Sequence, residues 1–152
     1  MGHTPFNDGP SLLGQPRVIP GPGPAAHSDS RHDWGYEKPL NDPAIAEIWC
    51  YTPRISYRAG EVIDLHVHST RPSFELEVTR EGPTPERVFG QSGIAATAAA
   101  TPDQSHMVGC DWPVAFQLTV DPSWRSGFYV VVVRLREPDG EVFEREHFFV
   151  LK

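Results

Sequence analysis

Two histidines separated by one residue, His66-Val67-His68, are the sharpest chemical pattern in this chain. Alternation along a strand puts both imidazoles on one face, which is how a metal site can begin. His147, His106 or Asp111 would have to supply a third ligand. A His-x-His pair by itself is also what a solvent-facing strand shows, and the residues opposite it, Ile63, Leu65 and Val67, are the ones expected to be buried. The pattern therefore predicts exposed polar side chains at His66 and His68, with His66, His68 and His147 as the metal candidates and no metal or cofactor expected.

Other chemistries have less to stand on. Glu75 with Glu77 and Glu144 with Glu146 are paired carboxylates on outward strand positions near Arg80 and Arg145, where ion pairing accounts for them better than glycoside cleavage. No serine sits in a Gly-x-Ser-x-Gly elbow, and neither Cys50 nor Cys110 has a neighbouring base in sequence. Gly90-Gln91-Ser92-Gly93 lacks the lysine and following helix of a phosphate loop. No catalytic residue is assigned. Two cysteines without CxxC spacing predict core thiols, with a single bridge between them as the alternative.

For binding, the aromatic candidates are Trp34 and Tyr36 near the start and Trp124 on a loop, because Trp112 falls in phase with the core. A net charge of −7 opposes a phosphate backbone, so nucleic acid is a poor partner. No apolar run reaches membrane-spanning length, and the first residues have neither the basic end nor the apolar core of a signal peptide. A cytoplasmic protein follows as the default expectation.

The elements that must position these residues are strands. Ile63, Leu65 and Val67 alternate with polar residues, as do Phe74, Leu76 and Val78, and then Trp112, Val114, Phe116, Leu118 and Val120. Gly127 to Arg136 is apolar on both sides, as a central strand covered by two layers would be. Pro138-Asp139-Gly140 is a hairpin turn, and Glu141 to Leu151 returns from it. Tyr129, just after the Gly127 turn, stands where a sandwich places a tyrosine corner, although an ordinary core tyrosine fits the spacing equally. About seven strands with no long helix predict an all-β, immunoglobulin- or fibronectin type III-like antiparallel sandwich over residues 44–152.

Two segments break the period. Residues 81–109 are expected to be an irregular loop, containing at most a short strand at Val88-Phe89. Their run Ile94 to Ala100 is too short for an isolated helix before Pro102. Residues 1–43 hold half of the chain's 16 prolines and read as an extended, partly disordered Pro/Gly-rich arm. It would be free before His27 and strap-like after Arg31, with Trp34, Tyr36 and Leu40 as anchors.

Several stretches resemble one family. Ile48-Trp49-Cys50-Tyr51-Thr52-Pro53-Arg54-Ile55-Ser56-Tyr57-Arg58-Ala59-Gly60-Glu61, Asp64 to Ser69 and Phe74 to Glu77 are similar to the start of N,N-dimethylformamidase large (β) subunits. Trp112 to Val120, Trp124 to Tyr129 and Phe148 to Leu151 are similar to the closing strands of the same N-terminal domain. The resemblance implies a sandwich that family members can split with an inserted laminin-G-type domain and follow with an α/β domain carrying iron and the amide-hydrolysing residues. Here the insertion would fall within residues 81–109, and neither extra domain is matched. It implies an accessory sandwich without catalytic activity of its own, packing on a catalytic amidohydrolase-like chain or domain. Two alternatives from other classes are a free-standing carbohydrate- or protein-binding module and a metal-dependent enzyme built on His66, His68 and His147. Self-association is a further option.

Overall fold

The period-two segments become strands in the computed structural model, which describes residues 38–152. The first four are β1 (Ile48–Tyr51), β2 (Ser56–Tyr57), β3 (Val62–Ser69) and β4 (Ser73–Arg80). They are followed by β5 (Glu86–Ala95), a single helical turn α1 (Ser105–Val108), β6 (Val114–Thr119), β7 (Gly127–Arg136) and β8 (Val142–Leu151). Trp34 and Tyr36 lie outside the described residues.

Two sheets result, a three-stranded one in the order β1-β3-β6 and a five-stranded one in the order β2-β8-β7-β4-β5. Pairing is antiparallel except between β2 and β8, where Ser56 and Tyr57 run parallel to Val150 and Leu151. The segment from β1 to β2 therefore starts on one sheet and crosses to the other at Pro53-Arg54. First, third and sixth strands facing the second, eighth, seventh, fourth and fifth is an immunoglobulin-type, Greek-key sandwich.

Inward residues of both sheets form one core. Ile48, Ile63, Leu65, Val67, Leu118 and Val120 come from the smaller layer and its edges, and Phe74, Leu76, Val78, Tyr129, Val131, Val133, Leu135 and Phe149 from the larger. Phe149 stacks on Tyr129 at 5.2 Å between ring centroids and meets Tyr57 edge-on at 5.9 Å. Such pairs contribute roughly 0.5–1.5 kcal/mol beyond their burial. The Tyr129 hydroxyl donates to the Arg125 carbonyl at 2.5 Å, four residues upstream. That makes it a tyrosine corner rather than an ordinary core tyrosine.

Three expectations need correction. Within residues 81–109 lies the ten-residue strand β5. Its period is hidden because the ladder to β4 shifts register twice, between Phe74 and Leu76 and between Val78 and Thr79, and because Gly90 and Gly93 supply no side chain to alternate. Trp112 is buried but stands outside the inter-sheet core. The register shift at Leu65/His66 reverses the phase, leaving Val114 45 % exposed and turning Trp112 toward the outer face of the smaller sheet. Finally, the outer side of β7 is covered only in part: Val132 is buried there, but Val130 is half-buried and Phe128 exposed.

Candidate functional site

The face expected to present two histidines to water is roofed over. His68 is fully buried and His66 half-buried. Their cross-strand neighbours on β1 are Trp49 and Tyr51. Tyr51 stacks on His66 at 4.6 Å with ring planes 4° apart, and Trp112 packs on Tyr51 and His68 at 5.6 and 5.7 Å. The segment between β5 and β6 supplies this roof and is tied down by Ser69 N–H donating to the Thr97 carbonyl and by Trp112 Nε1–H donating to Thr101 Oγ1.

Hydrogen bonds fix what each ring can do. A carbonyl only accepts, so His66 carries its proton on Nδ1 and donates it to the Trp112 oxygen at 2.7 Å. A backbone N–H only donates, so the His68 Nδ1 lone pair is held by Ala99 at 2.9 Å. His68 Nε2, which then carries the ring proton, faces Glu47 Oε1 at 3.3 Å without the alignment of a hydrogen bond. Glu47 is itself occupied by Trp49 Nε1–H and by the Leu40 backbone N–H, both at 2.9 Å.

His147 is not brought to this pair. It lies on β8 beside Thr52, whose N–H donates to Nε2 at 3.3 Å and whose Oγ1 lies 2.8 Å from the same nitrogen. Burial holds its pKa below the ordinary imidazole value. Two of the three candidate imidazoles thus have their lone pairs engaged, and no group of three His, Cys, Asp or Glu among the described residues has metal-binding geometry.

Three of the four carboxylates are ion-paired, with partners different from those expected. Glu75 holds Arg136 at 2.7 Å and Glu144 holds Arg134 at 2.7 Å, while Glu77 contacts Arg87 and Arg134 at 3.3 and 3.5 Å. Arg87 reaches Glu77 by lying across Gly90, where a Cβ would collide with its guanidinium. Cys50 and Cys110 are both free thiols. Cys50 packs on the core, and burial pushes its pKa up to about 12, which leaves it unreactive.

Trp124 is half-buried, stacked on Tyr129 at 5.7 Å and 19°. It borders a depression of about 230 Å³ at the end of the sandwich where β4, β5 and the β6–β7 loop meet, together with Arg80, Glu86, Arg87, Val88 and Ser123. Burial raises the Tyr129 hydroxyl above its usual pKa, and the Arg80 and Arg125 guanidiniums act in the opposite direction.

The outer face of the five-stranded sheet was missed as a site. Phe128 and Phe148 stack at 5.1 Å and are 43 % and 42 % exposed, with His147 against Phe148 at 5.8 Å. Val130 and Val150 are their half-buried cross-strand partners. The signal available in the sequence was the doubly apolar run of β7, which indicates cover on both sides but does not say what supplies it.

No curated protein matches the chain. Among solved structures, murine CRIg is similar at 15 % identity and a TM-score of 0.42, over 70 % of this chain and 97 % of that one. No helix among the described residues is long and apolar enough to cross a membrane. A family model described as "N,N-dimethylformamidase beta subunit-like, C-terminal" matches residues 75–152. The stretches before Glu75 that carry the first half of the resemblance lie outside this match, and the matching model is described as C-terminal where the resemblance implied an N-terminal domain. Since more than half of its length is matched, the chain belongs to the N,N-dimethylformamidase beta subunit-like, C-terminal family.

Proposed function

We propose that this chain is a non-catalytic accessory sandwich of a dimethylformamidase-like amidohydrolase and acts by packing on a catalytic partner. The observation that carries this reading is the stacked Phe128–Phe148 pair, two large aromatic rings on an open sheet face. Each ring still exposes somewhat under half of its surface and so forgoes roughly 1 kcal/mol of burial, which an interface would recover. Further along the same face, beyond Val132, Arg134, Glu77 and Glu144 form a charged margin on one side of the apolar centre, as protein interfaces commonly have.

The side chains that could do chemistry support the same reading, since His68, His147 and the paired glutamates are engaged in holding strands together. The family resemblance supplies the class of partner, an α/β chain or domain that holds the amide-cleaving residues. The test is purification of the tagged chain from its native host, beside a Phe128→Ser/Phe148→Ser variant. The expected result is an amidohydrolase chain, identified by peptide mass spectrometry, with the wild type alone, and no dimethylformamide hydrolysis by the isolated chain. Turnover by the isolated chain, or a wild type that elutes as a lone monomer, overturns the proposal.

A further inference from the structure

The inward alternation of β4 runs Phe74, Leu76, Val78 and then Arg80, so a guanidinium occupies the position where the pattern calls for one more apolar core residue. Breaks of this kind, where a charge replaces a core residue without an evident structural gain, concentrate at functional positions. Arg80 is paired across the ladder with Tyr129 and lies at the mouth between the two sheets, in the depression bordered by Trp124.

Its charge is left over. Among the described residues no carboxylate lies within ion-pair distance of Arg80; its Nη2 donates to the Ser126 carbonyl at 3.2 Å, and its other side-chain contact of hydrogen-bonding type is with the uncharged Tyr129 hydroxyl. Nε is buried with no acceptor among the described residues. The guanidinium lies close against Gly127, where an added Cβ would come within 3.2 Å of Nε, so the backbone there is shaped around it.

The rest of the depression is close to charge balance. Arg125 holds Glu86 at 2.8 Å, and Arg87 is turned away to Glu77. One positive charge is therefore uncompensated. The Trp124 indole N–H, at the border, also has no protein acceptor among the described residues. The existing Arg125–Glu86 pair shows that a carboxylate is accommodated in this depression.

From these features we infer that the depression is a binding site for a small monoanionic carboxylate, held by the Arg80 guanidinium against the Trp124 wall. The planar fork of arginine matches a carboxylate, and a single surplus charge matches a monoanion better than a phosphate dianion. This inference does not depend on the accessory role proposed above.

The probe is acetate, titrated into the full chain at constant ionic strength with chloride and inorganic phosphate as comparison anions. Side-chain Nε–H resonances report binding, with Arg80 assigned by its loss in Arg80→Gln. We expect a saturable shift of the Arg80 signal with acetate and none with chloride. Arg80→Gln should weaken binding by ~10-fold or more, as loss of a charge-assisted hydrogen bond does. Should Arg80→Gln fail to fold, Arg125→Gln on the exposed loop is the second test: it frees the Glu86 carboxylate, cancels the surplus charge and should weaken acetate to a similar degree. No saturable shift, equal response to chloride, tighter binding of phosphate than acetate, or unchanged affinity in the variant that folds would overturn the assignment.

Discussion

The two outer faces of the sandwich invert the usual relation between residue type and exposure. On the three-stranded sheet, His66 and His68 are covered by Tyr51, Trp112 and the segment leading to β6. On the five-stranded sheet, Phe128 and Phe148 are open to water. Strand alternation sorts side chains into two faces but contains no information on whether a third layer lies over either of them. The polar face could be covered because most of its donors and acceptors found partners, Ala99 for His68 Nδ1, the Trp112 carbonyl for His66 and Glu47 for Trp49, with His68 Nε2 as the exception. The apolar face has no such need, and its cover can come from another molecule.

The contrast can be broken at its strongest point by Trp112→Ala. Removing this buried ring should cost about 3–5 kcal/mol in chemical denaturation, because Tyr51, His68 and Thr101 lose a shared neighbour. A loss below 1 kcal/mol would mean that the roof contributes little to folding.

His68→Leu is the next test. It keeps the volume but leaves the Ala99 N–H without its acceptor, and should cost about 1–3 kcal/mol. Amide exchange at Ala99 should accelerate ahead of exchange in β7.

Acid sharpens the comparison from the other side. The pKa of His147 is lower in the folded chain than in the unfolded one, so the unfolded state binds more protons as pH drops. The stabilisation from its uncharged form is complete above about pH 6.5, the unfolded value, and is lost as pH falls through the lower folded value. Urea midpoints measured from pH 8 to 5 should therefore decline, and His147→Gln should flatten part of that decline. The smallest effect belongs to the open face: Phe148→Ala should cost about 1 kcal/mol of stability, the worth of a half-buried stacked ring, while weakening capture of the catalytic partner.

Much of the framework was legible in sequence. The bounds of β4 and β7 coincide with the apolar alternation, and Pro138-Asp139-Gly140 forms its turn with Gly140 at φ 92° and its N–H donating to Glu137. β5 was not legible, since two register shifts and two glycines erase a period of two. Nor was the placement of Trp112, which depends on one irregularity in the ladder between β3 and β6. Of the binding candidates, Trp124 does border a depression, but the residue that gives it chemical character is Arg80. Its signal was present as a charged residue in core phase. Its proximity in sequence to the outward Glu75 and Glu77 gives it the look of a surface ion-pair partner, which masks that phase.

The two breaks in the β4–β5 ladder have a consequence for the molecule in crowded solution. β5 is an edge of its sheet, and a regular, flat edge would offer unpaired amides and carbonyls to any extended chain that drifts against it. Its bulges twist that rim, and Glu86 and Arg87 add charge at its first two residues, so an incoming strand finds no long straight run on which to polymerise.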